Sequence, residues 1–396
     1  MSTNHDWTTE RQAEAAKETL ALRAFSFAAY STTAVIITYI PLYFLDQGYT
    51  KQQIGWIYSS GPFISIFANL LMGVISDRYQ TIKLLLTLIL AGQLVMIGLL
   101  TQAELFSTVS LLMIGFYFFQ TPVTPLSDSL ILLSSKHTGR PYALIRIYGS
   151  LGFAVSALMI GYVLGEAGSQ WTLAVALATI AVTLCLSLLL KDYQGTLRKM
   201  DFSGLYKLLR QREVVTFFTL ILIISVAHRM YDGFIAVTLR GMGASSSLVG
   251  LALLLSAVSE IPILFLLGKY GHKFKELPLL MLASMLYVIR FLLISVLSDP
   301  LWVAASQIMH SVTFGIYFST ALRYISQIIP DEYRASGQAV YAIVWSGLAG
   351  LISGTMGGAI YEHFGQRAFF GTAAALALLA CIGFMLKHLS DRRRLG

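Results

Sequence analysis

Charge is scarce in this chain. Asp, Glu, Lys and Arg make up 12% of the 396 residues, where a soluble domain carries about 25%. The shortfall excludes an ordinary water-facing surface. Cysteine is nearly absent: Cys185 and Cys381 each sit in an apolar run. Two such residues build neither a disulfide framework nor a metal site, and they read as small packing groups. No phosphate-cradling loop, metal-ligand spacing or nucleophile elbow occurs. Gly149-Ser150-Leu151-Gly152 follows no strand and lies inside an apolar run. The chain is therefore not expected to be an enzyme, and no cofactor or metal is expected. Residues 1–18 carry Asp6, Glu10, Arg11, Glu14, Lys17 and Glu18 with no apolar core of a signal segment. The N-terminus is expected to stay in the cytosol.

What the chain has instead is apolar length. Hydrophobic residues make up 56% of it, and mean hydropathy is +0.70. A membrane-crossing helix needs about 20 apolar residues. Twelve segments meet that need, near 20–45, 53–76, 84–101, 106–133, 141–165, 171–190, 214–239, 247–268, 277–297, 300–326, 336–360 and 367–387; they are numbered here as spans 1 to 12. The expected fold class is an all-α integral membrane protein with twelve transmembrane helices in two pseudo-symmetric six-helix bundles. Residues 1–190 form the first bundle with a short tail, and 214–396 form the second. Residues 191–213 form a basic cytosolic linker with a short surface helix from Phe202 to Gln211.

Positive charge follows this topology. Loops placed inside hold Arg78 and Lys83; Lys136 and Arg140; six basic residues from Lys191 to Arg212; Lys269, Lys273 and Lys275; Arg323 and Arg334. Loops placed outside hold Lys51, Arg240 and Arg367. Basic residues accumulate on the cytosolic face of membrane proteins, so the net charge of +8 follows from topology and lipid headgroups. Nucleic acid is not an expected partner. The expected setting is the cell membrane, multi-pass, with both termini cytosolic, and a monomer is expected.

A few charged residues lie deep inside the apolar runs: Asp128, Arg146, Arg229, Asp232, Glu260, Arg290 and His310. Each costs roughly 2.5–3.5 kcal/mol at a bilayer centre on insertion scales. They point to a polar pathway inside a helix bundle. Asp128 and Arg146 reach similar depths on consecutive spans. They read either as a site for a hydroxyl or carboxylate, which suits the arginine fork, or as a structural tether. In span 7, His228 and Asp232 share a face, and Arg229 and Asp232 are three apart. This cluster reads as a proton relay or as a neutralised pair. Glu260, Arg290 and His310 come from three spans. Burial favours the neutral carboxyl and a nearby arginine the ionised one, so a small helix shift can switch such a group. Aromatic residues including Tyr30, Tyr39, Phe119, Phe153 and Tyr317 crowd the same region and face either lipid or a flat ligand.

A weak repeat relates the halves. Gly73-Val-Ile-Ser-Asp77-Arg78 precedes Lys83 after span 2, and Gly268-Lys269 precedes Lys273 and Lys275 after span 8. Each reads as a glycine at a helix end before a basic turn. Span 5 carries Gly149, Gly152, Gly161 and Gly165, and span 11 carries Gly347, Gly350, Gly354, Gly357 and Gly358. Small residues so spaced let helices approach closely, either in fixed packing or at a rocking interface.

With six plus six spans and a basic central loop, the Gly73…Asp77-Arg78…Lys83 motif resembles that of the major facilitator superfamily. Gln80 and Thr81 stand where the motif usually has glycine and arginine. The resemblance implies a gating role for Gly73, Asp77 and Arg78. Arg146-Ile-Tyr-Gly-Ser-Leu-Gly-Phe153 looks like the phenylpropionate permease and nucleoside symporter group. The Asp128, Arg146, Glu260, Arg290, His310 constellation is similar to lactose permease. That likeness implies solute binding at Asp128 and Arg146, with Phe153 beside them. It implies proton coupling by Glu260, Arg290 and His310, to which the span-7 residues His228 and Asp232 are added. The chain differs from that group by having Asp128 for glutamate, Phe153 for tryptophan and Thr313 for a second acid. Span 5 lacks the Gly-Pro-x-x-Gly-Gly of drug antiporters. The expected function is proton-coupled symport of a small organic solute (sugar, nucleoside or aromatic acid) by alternating access. Proton-driven efflux of lipophilic compounds and a transporter-like sensor or lipid-translocating role are the alternatives.

Overall fold

A computed structural model of the chain describes residues 3–140, 142–193, 210–329, 337 and 340–395. The expected surface helix from Phe202 to Gln211 lies almost wholly outside the described residues. All regular structure among the described residues is helical. Ten stretches are long and apolar enough to cross a membrane. The first nine, from Glu14–Asp46 to Glu276–Val296, follow spans 1 to 9 in order.

The remaining three spans carry local irregularities. Spans 11 and 12 fall in one stretch, Val340–Arg392, of 53 residues. At about 1.5 Å per residue this is roughly 80 Å of helix, more than twice a bilayer core of about 30 Å. It breaks at Gly365, with φ 76° and ψ −177°, a backbone conformation open essentially to glycine alone. Span 10 is assembled from pieces. Asp299 caps Pro300–Ala305 by accepting from the Leu301 N–H at 2.8 Å, and Pro300 occupies the first turn, where its missing N–H costs nothing. A 3₁₀ turn, Ser306–Met309, and a π turn, Ser311–Gly315, follow before Ile316–Ile328. No piece alone has crossing length.

Two compact units form. One comprises Met1–Ile40 and Ile64–Leu197, the other Pro41–Phe63 and Arg198–Gly396. In the first, aliphatic residues such as Leu86, Ile89, Leu130, Ile131 and Ile145 build a core around Phe25. Span 5 lies tightly on span 1. Gly152 meets the Phe27 carbonyl so closely that a Cβ would collide with it, and Ser156 donates to Ser31 at 2.7 Å. The glycines of span 5 that the structure shows in contact are therefore packing within one unit.

The second unit is richer in buried rings: Phe217, Phe234, Tyr287, Phe291 and Phe369 are all below 2% exposed. Its span-11 glycines receive residues 41–63. Gly350 packs on Pro62, Gly354 on Gly55 and Ser59, and Gly358 on Lys51. Asp46 pairs with Arg240 at 2.8 Å, and Glu362 accepts the Lys51 N–H at 2.7 Å, capping the helix that begins there.

Each unit is tied at one end by a glutamate. In the first, Glu18 accepts from Ser134 and, at 2.5 Å, from the Tyr193 hydroxyl. In the second, Glu213 receives Tyr324 and Lys387, each at 3.3 Å. The turn after span 2 is held similarly. Asp192 accepts the Ile82 and Lys83 N–H groups at 3.0 Å each and the Thr81 hydroxyl. Gly73 does not end its helix, contrary to the sequence reading: the helix runs on to Tyr79. The left-handed residue of the turn is Gln80, with φ 51°, in the place where the superfamily motif usually has its second glycine. Gly268 likewise lies inside the helix Ser246–Tyr270.

Candidate functional site

In the first unit, spans 4 and 5 bring Asp128 and Arg146 together. Span 4 is divided: Phe106–Gln120 gives way to Val123–Thr138 at Thr121-Pro122, since proline cannot continue the hydrogen-bond ladder. Asp128 lies in the second piece. Its Oδ1 is 3.1 Å from Arg146 Nε, yet that oxygen receives no aligned hydrogen bond. Tyr142 reaches the same carboxylate through its side chain. The Arg146 guanidinium lies over the Tyr30 ring, 4.3 Å from the centroid, and Nη2 donates to the Tyr30 hydroxyl. Gly149 leaves room for both, since a Cβ there would meet the ring. The side chains of Arg146 and Asp128 remain 27% and 34% exposed. Phe153, two turns along span 5, is half-buried and takes part in neither contact.

In the second unit, Glu260, Arg290 and His310 meet as the sequence implies. Arg290 is fully buried. Its Nη2 donates to Gln307 Oε1 at 2.7 Å, and Nη1 to Thr313 Oγ1 at 3.1 Å. Nη1 also lies 3.1 Å from His310 Nδ1. A guanidinium carries donors only, so Nδ1 is the acceptor and the imidazole proton belongs on Nε2. That nitrogen is 2.8 Å from Glu260 Oε1. Carboxylate, imidazole and guanidinium thus form one ordered chain. Below it, the Tyr231 ring lies 4.1 Å from the Arg290 carbon centre, and the Tyr231 hydroxyl donates to Gln307 at 2.5 Å. Thr313, where the resembled group has an acid, serves as an acceptor for Arg290.

Gln307 was not singled out from sequence, whereas Tyr231 belongs to the span-7 cluster with His228, Arg229 and Asp232 that the sequence points to. The signal for Gln307 was present: a polar residue three positions before His310 lies on the same helix face.

The span-7 residues separate. His228 is buried, hydrogen-bonds the Tyr287 hydroxyl through Nδ1 at 2.9 Å, and stacks on Phe314. Asp232 pairs with Arg229 instead, at 3.1 Å. Arg229 also donates to the Trp345 carbonyl at 3.3 Å and to Ser346 Oγ at 2.9 Å, and lies over the Trp345 ring. Trp345 and Ser346 belong to a π turn, Ile343–Leu348, a local widening frequent at functional sites. Of the gating candidates, Gly73 is half-buried and Arg78 is exposed, while the Asp77 side chain lies outside the described residues.

The model of the MFS_1-like family matches residues 19–372. The maltose permease of Geobacillus stearothermophilus is 28% identical over 352 residues, covering 86% of this chain and 87% of that protein. The probable 3-phenylpropionic acid transporter of Escherichia coli (strain K12) is 26% identical over 374 residues, with 93% and 96% coverage. Among solved structures, the nucleoside transporter NupG superimposes with a TM-score of 0.83 at 16% identity, covering 93% of this chain and 98% of that one.

Proposed function

The chain belongs to the MFS_1-like family of transporters, and from that premise we propose that it is a proton-coupled symporter of a small organic solute. The solute classes are those named for its relatives: sugar, nucleoside and aromatic acid. In this reading the chain crosses the cell membrane twelve times as two pseudo-symmetric six-helix bundles, residues 1–190 and 214–396. The segment 191–213 joins them in the cytosol, where both termini lie, and the protein acts as a monomer.

The observation that carries the coupling is the buried chain Glu260–His310–Arg290. Because Arg290 occupies His310 Nδ1, the imidazole is held neutral with its proton toward Glu260. Glu260 is then the group that gains and loses the transported proton, and His310 and Arg290 position it. Movement of span 8 against span 10 changes the Glu260–His310 contact and with it the preference for a proton. Asp128 and Arg146 bind the solute, with Phe153 as a nearby apolar face. Gly73, Asp77 and Arg78 belong to the gate by which the two bundles alternate access.

A solute screen in proteoliposomes with an imposed pH gradient tests the proposal. Accumulation of a solute above equilibrium, driven by an inward proton gradient and abolished by a protonophore, is the expected result. Downhill movement indifferent to the gradient overturns the coupling. Proton-driven extrusion overturns the direction.

A further inference from the structure

The second unit carries a counterpart of the Asp128–Arg146 pair that the transport reading leaves unused. Arg229 and Asp232 are 3.1 Å apart, with side chains 27% and 36% exposed. Arg146 and Asp128 are likewise 3.1 Å apart and 27% and 34% exposed. Both arginines lie over an aromatic ring, Tyr30 in one case and Trp345 in the other. Exposed charges in a span are costly against lipid, so both pairs face water. A structural tether alone has no need to keep a third of its carboxylate in water.

The open valences of the span-7 pair are specific. Asp232 meets Arg229 through Oδ2, leaving Oδ1 as an acceptor. Arg229 spends three of its N–H groups on Asp232, the Trp345 carbonyl and Ser346; a guanidinium has five. Ser346 has a hydroxyl that both donates and accepts. An acceptor, spare donors and a hydroxyl side by side suit a solute hydroxyl, which needs one of each.

Charge decides against a carboxylate. Arg146 and Arg229 are each already paired with an aspartate of their own unit. An anionic solute would have to displace an aspartate or lie beside it, where like charges repel strongly in a medium of low dielectric constant. Arg290 offers no relief. It is wholly buried and its guanidinium is engaged by Gln307, Thr313 and His310, so protonation of Glu260 presents no new cation to the solute.

We propose that Arg229, Asp232 and Ser346 form a solute-recognition site within the second unit, and that the solute is a neutral, hydroxyl-rich molecule of the sugar or nucleoside class. The inference rests on the transport reading and narrows it. Among the classes carried by relatives, it selects against aromatic acids.

The test is equilibrium binding to the purified full chain in detergent. Maltose and uridine serve as neutral probes, glucuronate and 3-phenylpropionate as anionic ones. The expected result is binding of a neutral probe, weakened at least fivefold by Ser346→Ala and at least tenfold by Asp232→Asn. The latter also frees Arg229, so an anionic probe should gain affinity. Ser346→Ala removes one hydroxyl and keeps the fold, so a loss there is not a folding artefact. Unchanged affinity in Ser346→Ala, an anionic probe bound by the wild type as tightly as the neutral ones, or failure of all four probes overturns the inference. Gradient-driven uptake of an anionic probe would overturn it while leaving symport intact. A neutral probe that binds but is not accumulated would do the reverse.

Discussion

Two arginine sites, one in each unit, treat buried charge in opposite ways. In the first, Arg146 and Asp128 are close but poorly aligned, partly in water, and leave a carboxylate oxygen without a hydrogen bond. In the second, Arg290 is sealed from solvent and engaged by Gln307, Thr313 and His310, while its Nε has no partner among the described residues. On the proposed reading, an incomplete, wet pair is completed by a solute that arrives from water. A dry and nearly complete network can respond only to a proton or to the movement of a helix. The surroundings differ in exposure: the Arg146 and Asp128 side chains are 27% and 34% exposed, whereas span 10 supplies three partners to an Arg290 sealed from solvent.

This contrast can be broken most decisively at Glu260. Glu260→Gln should remove uphill accumulation almost entirely, by two orders of magnitude or more, while exchange of solute at equal concentrations persists. Retained accumulation in the variant would move the proton elsewhere. Arg146→Lys comes next. It keeps the charge but loses the planar fork, so solute affinity should fall by roughly 10- to 100-fold, the range of a lost charge-assisted hydrogen bond of about 1.5–3 kcal/mol. Insertion and thermal stability should stay close to wild type, because the two side chains are 27% and 34% exposed and not sealed in a dry interior. Equal loss of both would make the pair a tether. Gln307→Ala should act in the opposite sense. It strands the Arg290 Nη2 and Tyr231 hydroxyl donors in a dry interior, at about 1–3 kcal/mol for each group, and a thermal melt should register it even without solute. The smallest effect is expected at Gln80. Replacing this left-handed residue by glycine removes a strain of about 1–2 kcal/mol, partly offset by the entropy glycine adds to the unfolded chain. A slight rise in melting temperature is the outcome; a fall would mean that the side chain itself holds the turn.

Much of this arrangement was legible in the sequence. Spans 1 to 9 could be placed because twenty-residue apolar runs have few other uses. The meeting of Glu260, Arg290 and His310 could be anticipated because isolated charges at membrane depth need partners. Span 10 hid its breaks because the 3₁₀ and π turns around His310 carry no residue signature that separates them from α-helix. Spans 11 and 12 could be read as two helices because Gly365 and its polar neighbours resemble a turn, and the backbone does break at that one residue. His228 and Asp232 were grouped by helical spacing, which says which face two residues share but not which neighbouring helix claims each. Tyr287 claims one and Arg229 the other. Glu18 and Asp192 escaped notice for the same reason, since their partners lie more than a hundred positions away.

The Glu18 contact also bears on how the protein is made. Its partners Ser134 and Tyr193 come 116 and 175 residues later in the chain. At synthesis rates of about 5–20 residues per second, Tyr193 leaves the ribosome roughly 10–35 s after Glu18. Ser134 is made partway through that interval, and the set of partners for the Glu18 carboxylate is complete only at its end. The opening helix is thus among the first parts to be translated and among the last to be fastened, and a ribosome stalled before Tyr193 would leave quality-control proteases a half-assembled unit with its entrance helix loose.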